Sequence, residues 1–288
     1  MKEATNEFRI TGTLKSKDLK EGTTKSGKAA IMGNLVVEVN DGRQIHNHRI
    51  DMFTFRDKKD GSHNKIYDSY KTVMDEYKDS DTYQSEADVV TVNGSVEYNV
   101  YEGKNGTSEN MRFRGLFANR VAKDAPQEAF ANIDMVIDGF TPEMKNDEPT
   151  GMHKVSAYSV GYNDRGIKLV GMVVDDNLGV HEQITPGTTI KGTVKLNNYV
   201  IVKKEEKPAE NALFGTTKSV VENNSFVRNL QLVGGAMGST QYAPEELDAM
   251  KKSVKEQISE AQANTSKGGF GTQAAPVDTS AIDDKLPF

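Results

Sequence analysis

The sequence contains no cysteine and no tryptophan among its 288 residues. Without cysteine, disulfide bonds, thiolate metal sites and cysteine nucleophiles are excluded. No stretch approaches the roughly 20 consecutive apolar residues that a membrane-spanning helix needs. The N-terminus also lacks the apolar run that is typical of a signal peptide. From these absences we expect a cytoplasmic protein that makes no membrane contact.

Motifs of catalysis are missing as well. The sequence has no Walker phosphate-binding loop, no G-x-S-x-G motif and no carboxylate cluster at a recognised metal-binding spacing. His46 and His48 lie on the same face of a predicted strand, but two histidines without a third ligand do not predict a metal site. We therefore expect no enzyme, no metal and no cofactor.

Positive charge is in the minority: 36 Lys and Arg stand against 42 Asp and Glu, for a formal net charge of −6. Any binding to a polyanion must therefore come from locally clustered basic residues and not from the overall charge. The length predicts two modest domains and a tail more readily than one large core.

The first half of the chain alternates between apolar and polar residues in five segments. The predicted strands are residues 7–14, 29–39, 44–55, 89–101 and 111–121. Asn40-Asp41-Gly42 predicts a tight turn between the second and third strands. Residues 66–77 carry apolar side chains at helical spacing, and residues 15–28 and 102–110 are predicted loops. Three strands, a helix and two more strands is the element order of the OB-fold, a five-stranded barrel.

Residues 132–233 repeat this pattern more weakly. The motif T-[VI]-x-G-[ST]-V occurs at residues 91–96 and again at 189–194, so that both copies fall in a fourth strand. The predicted strands are residues 133–140, 155–162, 167–174, 189–202 and 226–233. Residues 179–187 are too few for a full helix, and residues 203–224 are a predicted long loop. We expect a second, degenerate OB-like barrel.

The C-terminal part has a different character. Residues 244–262 predict a helix whose apolar stripe would pack on the body of the protein or on a second subunit. Residues 264–280 are rich in Gly, Ser, Thr and Ala and predict a disordered, flexible tether. We therefore divide the chain into four parts: a first barrel at 1–125, a second at 126–238, a helix at 239–263 and an acidic tail at 264–288.

Three stretches resemble the bacterial and phage single-stranded-DNA-binding proteins. Residues 48–53 (His-Arg-Ile-Asp-Met-Phe) resemble the family's third strand, and residues 92–96 (Val-Asn-Gly-Ser-Val) resemble its fourth. Tyr101 lies seven residues after Gly94, where the family carries a stacking tryptophan, whereas Asn47 replaces an aromatic residue of the family. The C-terminal tip resembles the family's acidic tip that ends in Pro-Phe. Two barrels in one chain are more typical of a phage or prophage form.

The resemblance implies sequence-independent binding of single-stranded DNA, in which aromatic rings stack on bases and cations neutralise phosphates. The candidate DNA-binding residues are Lys15, Lys17, Lys25, Lys28, Arg49, Phe53, Phe55, Arg56, Tyr98, Tyr101, Lys104, Arg112 and Arg114. We expect Phe53 and Phe55 to share one strand face, and Arg112, Arg114 and Tyr98 to share another.

The resemblance also implies that the tip recruits replication, recombination or repair proteins. Its candidate docking residues are Asp283, Asp284, Leu286, Pro287 and Phe288. Two alternatives stay open: an OB-fold module that binds protein or sugar, and an RNA-binding protein. Homo-oligomerisation also stays open.

Overall fold

Strands dominate the computed structural model, which describes residues 4–145, 147–208, 218–238 and 241–265. The strands are β1 (Asn6–Thr23), β2 (Ala29–Asn40), β3 (Ile45–Phe55), β4 (Val89–Gly103), β5 (Gly106–Val121), β6 (Glu128–Lys145), β7 (Glu148–Val160), β8 (Gly166–Lys168), β9 (Met172–Asp175), β10 (Thr189–Pro208) and β11 (Lys218–Met237). The helices are α1 (Lys65–Glu76), α2 (Ser80–Tyr83), α3 (Val180–Gln183) and α4 (Pro244–Thr265). Short 3-10 segments lie at Gln84–Glu86, Tyr162–Asp164 and Asp176–Leu178.

The first five strands close into a barrel. β1 pairs with β2, β2 with β3, β3 in parallel with β5, β5 with β4, and β4 again with β1. Helix α1 lies between β3 and β4 in the chain and buries Ile66, Tyr67, Tyr70 and Val73. The Tyr70 hydroxyl donates to the carbonyl of Gly115 in β5 at 2.8 Å. This closure is the OB-fold topology that the sequence predicts.

The second barrel repeats the same closure. β6 pairs with β7, β7 with β9, β9 in parallel with β11, β11 with β10, and β10 with β6. Its third strand is split into β8 and β9, and a 3-10 turn and α3 take the place of the longer α1. The repeated motif lies in β4 and β10, where Thr91 and Thr189 are both buried. The degenerate second barrel is therefore confirmed.

The two barrels are joined through their first strands. β1 and β6 pair antiparallel, from Asn6 opposite Ile133 to Thr11 opposite Glu128. Each of these strands also closes its own barrel, so one 11-stranded sheet runs through both units. Buried residues of both barrels form one continuous apolar core cluster.

Helix α4 packs on the second barrel through Leu247, Met250 and Val254, which are buried. Its backbone approaches β8 so closely that a Cβ atom on Gly166 would lie 2.3 Å from the carbonyl oxygen of Met250. Gln257 bonds the Gly166 carbonyl at 2.8 Å. The apolar stripe of this helix therefore covers the chain's own body.

Three predicted loops are wrong in whole or in part. Most of the predicted loop 102–110 is strand, because β4 continues to Gly103 and β5 begins at Gly106. Residues 15–23 continue β1 and pair with β2, which leaves only a short turn before Ala29. Residues of the predicted loop 203–224 extend β10 and β11, whose backbones stay paired out to Pro208 opposite Lys218. The outer part of β1 is largely exposed, and a strand without a buried face shows no apolar alternation that a sequence could reveal.

Candidate nucleic-acid interface

The outer face of the first barrel carries the largest group of predicted DNA-binding residues. Alternation along β3 turns Arg49, Asp51 and Phe53 outward, because the residues between them are buried. The neighbouring strand β5 places Arg114 opposite Asp51, and Arg112 lies two residues earlier on the same face. We call these five residues the arginine face.

One carboxylate holds the arginine face together. The Arg112 Nε–H donates to Asp51 Oδ2 at 2.7 Å, and a terminal N–H of the same guanidinium contacts that oxygen too. Arg49 Nε lies 3.6 Å from the other carboxylate oxygen. Glu97 of β4 is the cross-strand neighbour of Arg112. Three guanidinium groups thus face two carboxylates, so this surface remains positive in a chain that is negative as a whole.

At the Phe53 end of this face, two adjacent aromatic rings have a cation on either side. The guanidinium of Arg114 lies 5.2 Å from the centre of the Phe53 ring, and its N–H donates to the Phe53 carbonyl at 3.3 Å. The rings of Phe53 and Phe55 meet edge to face at 4.9 Å, and Lys28 Nζ lies 5.3 Å from the Phe55 ring. The expected shared face of the two phenylalanines is confirmed. Phe55 is buried, so Phe53 is the ring that is open to a base.

Other candidates surround this face. Lys25 is exposed in the turn between β1 and β2, and Lys104 is exposed in the turn between β4 and β5. Tyr101 is 45% exposed near the end of β4, on the side to which Glu97 points. Arg56 is exposed just after β3, with its guanidinium 3.1 Å from Asp57.

Three candidates lie elsewhere. Tyr98 was expected to share a face with Arg112, but the register places it opposite Met111, inside the barrel. Burial, with a hydrogen bond that the Tyr98 hydroxyl donates to Glu109 at 2.7 Å, raises the pKa of this phenol. Lys17 donates to the Val73 and Met74 carbonyls at 3.3 and 2.5 Å and so caps the end of α1. Lys15 pairs with Glu38 at 3.6 Å, away from the arginine face.

Lys15 instead lines a groove that the sequence analysis missed. This groove, of about 730 Å³, lies between the turn that joins β2 to β3 and the paired strands β10 and β11. Arg43 lines it together with the aromatic residues Tyr199 and Phe226, and Phe226 is 79% exposed. The sequence signal that could have indicated this groove is Phe226, a phenylalanine between polar residues of a hairpin. We call this feature the inter-barrel groove.

A polar network fixes the walls of the inter-barrel groove. Lys195 Nζ bonds Asp41 Oδ2 at 2.7 Å, and His46 Nε2 lies 3.2 Å from the same oxygen. The backbone N–H of Asn198 donates to His46 Nδ1 at 3.2 Å. This bond leaves the proton of a neutral His46 on Nε2. Burial opposes ionisation of Asp41, but hydrogen bonds from Lys195, from two backbone amides and from His46 outweigh it and lower its pKa. These contacts connect the β2–β3 hairpin of the first barrel to β10 of the second.

His48 is a core residue. Its side chain is fully buried, and neither ring nitrogen has a hydrogen-bond partner among the described residues. Burial, with smaller contributions from His46 and Arg228, lowers the pKa of His48 to about 3. The imidazole is therefore neutral and packs edge to face against Phe113 at 6.0 Å.

The sequence matches the model of a protein family, described as YorF, over residues 4–264. The chain belongs to the YorF family. No curated protein matches the sequence.

Solved structures with the same architecture include the single-stranded DNA binding protein from Thermus aquaticus. A deletion mutant of that protein matches with a TM-score of 0.51 at 13% identity, covering 85% of this chain and 100% of the other. The wild-type protein matches with a TM-score of 0.50 at 13% identity, covering 84% and 97%. At this identity the likeness shows a shared fold of OB type.

The predicted docking residues 283–288 lie outside the described residues. No helix within the described ranges is long and apolar enough to cross a membrane. A row of side chains along β3 runs from the inter-barrel groove to Phe53. Residues 45, 47, 49, 51 and 53 lie on one side of this strand.

Proposed function

We propose that this protein binds single-stranded DNA without sequence preference, through the arginine face. The observation that carries the proposal is the stack of Arg114 on the half-buried ring of Phe53, flanked by Arg49 and Arg112. A ring with an open face can stack on any base, and guanidinium groups pair with phosphate oxygens. Duplex DNA hides its bases, so an exposed ring favours a single strand.

The path of the strand follows β3. From residue 45 to residue 53 the strand rises about 26 Å, at roughly 3.3 Å per residue. This row joins the inter-barrel groove at one end to Phe53 at the other, and basic or aromatic side chains lie at both ends. In this proposal residues 1–125 form the main DNA-binding unit, and residues 126–238 contribute the second wall of the groove.

The biological role that follows is protection of unwound DNA in replication, recombination or repair, without a chemical reaction. The acidic tip at 283–288 would dock replication or recombination proteins, because a ring and a proline beside two carboxylates suit an apolar pocket with a basic rim. Such a role would be exercised in the cytoplasm of a bacterium, and two barrels in one chain are the feature that favours a phage or prophage product.

A titration tests the proposal. Single-stranded DNA, duplex DNA and RNA of the same sequence are titrated at several salt concentrations. Binding should favour single-stranded DNA and fall steeply with salt, because phosphate neutralisation releases counterions. Equal affinity for the duplex, or an affinity that salt does not change, would refute it. Preference for RNA would support the RNA-binding alternative, and no nucleic-acid binding would leave the protein-interaction or sugar-binding module.

A further inference from the structure

Two histidines and an aspartate meet on the second barrel, away from the arginine face. His153 lies on β7, Asp176 begins the 3-10 turn after β9, and His181 lies in α3. Each offers one ligand atom, and these atoms all lie within 4.8 Å of one another. We propose that His153, Asp176 and His181 bind a divalent transition-metal ion of the zinc type.

The local fold brings these distant residues together. β7 pairs with β9 so that His153 lies opposite Val174, two residues before Asp176. Gly179 then adopts a left-handed conformation, with φ 60°, which turns the chain back into α3. As a result the His181 ring stacks on His153 at 4.0 Å, with an angle of 14° between the rings.

The hydrogen bonds leave this cluster incomplete without a cation. His153 Nδ1 lies 2.5 Å from Asp176 Oδ1. His181 Nδ1 is buried and has no partner among the described residues. A buried polar atom without a partner costs free energy, and a bound metal ion would satisfy it.

The donor set selects the class of ion. Two imidazoles and one carboxylate suit zinc and neighbouring first-row divalent ions better than calcium or magnesium, which prefer oxygen ligands. In a tetrahedral zinc site, donors about 2.1 Å from the ion are about 3.4 Å apart. Small rotations of these half-buried side chains would bring the ligand atoms from within 4.8 Å to that spacing. A water molecule would complete the shell.

A bound metal ion would also anchor a segment of the second barrel that has no buried side chains of its own. In the first barrel, α1 buries four side chains between the third and fourth strands. In the second barrel, the 3-10 turn Asp176–Leu178 and α3 bury none. An ion held by His153, Asp176 and His181 would fasten this segment to β7. The proposed role is therefore structural and independent of DNA binding.

Cobalt is the probe for the test, because Co²⁺ replaces zinc and absorbs visible light when tetrahedral. The full chain, prepared without a polyhistidine tag, is titrated with Co²⁺ and then with Zn²⁺. We expect one equivalent of cobalt to bind and one equivalent of zinc to displace it. His153→Ala and His181→Ala should abolish the absorption, and Asp176→Asn should weaken binding at least about tenfold.

His63→Ala is the matched control, because His63 pairs with Asp68 at 2.8 Å but lies outside the cluster. It should bind cobalt like the parent. Asp176 is 38% exposed, so Asp176→Asn should fold even if the histidine variants do not. Zinc should raise the melting temperature of the parent more than that of Asp176→Asn. Absence of stoichiometric binding, or unchanged binding in Asp176→Asn, would overturn the proposal.

Discussion

Phe53 is the single residue on which the proposed DNA contact depends most. Its ring is half-buried, with the Arg114 guanidinium 5.2 Å from its centre and the Phe55 ring edge to face with it at 4.9 Å. Phe53→Ala should weaken binding to single-stranded DNA by about 1–3 kcal/mol, because one stacking platform is lost. Tyr101→Ala should have an effect in the same range, about 1–3 kcal/mol, if its 45% exposed ring also stacks. Fluorescence anisotropy with a labelled oligonucleotide measures both.

Tyr83→Ala is the control for these two variants. Tyr83 is 46% exposed and has Lys78 over its ring at 5.5 Å, so it matches Phe53 in chemistry but lies on α2. Its loss should leave DNA affinity unchanged. If Phe53→Ala and Tyr101→Ala both fold and bind DNA as tightly as the parent, the stacking surface lies elsewhere.

Asp41 should make stability depend on pH. Its pKa is lowered in the folded state, so the stability it contributes is complete above its unfolded pKa of about 3.9 and is lost as the pH falls below that value. Asp41→Asn should therefore lower the free energy of unfolding by about 1–3 kcal/mol at pH 7, and by less at pH 3.

Urea unfolding at both pH values measures this difference, with Asp68→Asn as the control. Asp68 also accepts from a histidine, but its side chain is 61% exposed, so its replacement should change little. A destabilisation by Asp41→Asn that is the same at pH 3 and pH 7 would contradict the role assigned to its charge.

Individual site residues could be predicted only where strand alternation decides them. Arg49 and Phe53 lie where alternation along one strand places them. The placement of Tyr98 failed because its face depends on which residue of β5 lies opposite, and that register is not visible within one strand. His153 and His181 are 28 positions apart and meet only through the β7–β9 pairing, so their spacing carries no signal.

At the scale of elements, the β10–β11 hairpin extends the candidate surface beyond the first barrel. Phe226 lies opposite Val200 on this hairpin and lines the inter-barrel groove. Phe226→Ala should weaken DNA binding by about 1–3 kcal/mol if the strand passes through the groove. It should not change stability, because the ring is 79% exposed.

Met237→Ala is the control for Phe226→Ala, since Met237 is also on β11, is 68% exposed and lies outside the groove. DNA affinity is measured for both variants against the parent. Equal affinity of all three proteins would confine the contact to the first barrel and leave the groove without a role in DNA binding.

The order of the elements could be predicted because a strand with one buried face has apolar residues at alternate positions. The lengths of the hairpins could not. The outer part of β1 has a run of lysines and acidic residues, which reads as a loop, yet its backbone pairs with β2 up to Thr23. Backbone pairing is independent of side-chain polarity, so a strand in solvent is visible only in three dimensions.

At the scale of the whole molecule, the repeat explains the architecture. The chain contains two copies of one barrel, and their first strands, β1 and β6, pair with each other. One core cluster includes buried residues of both barrels. The sheet pairing and the Asp41 network fix how the barrels meet, so the inter-barrel groove keeps a constant shape. A preformed groove beside a positive face can hold an extended DNA strand without the free-energy cost of a domain closure.

The acidic tip should compete with DNA for the basic side chains of the two barrels. Residues 281–288 contain two aspartates, and the tether predicted at 264–280 would keep them at high local concentration near the basic side chains. Deleting residues 281–288 should leave the fold intact, abolish recruitment of partner proteins, and hold or raise DNA affinity. Because attraction between charges is screened, any gain in affinity should shrink as salt rises.

Phe288→Ala separates the two roles of the tip, because it removes the apolar anchor and keeps every carboxylate. This variant should lose partner recruitment and retain the DNA affinity of the parent. DNA affinity at two salt concentrations and capture of replication proteins are measured side by side for the parent, the truncation and Phe288→Ala. A truncation that loses DNA binding but keeps its partners would reverse the assignment, since the tip would then belong to the DNA site.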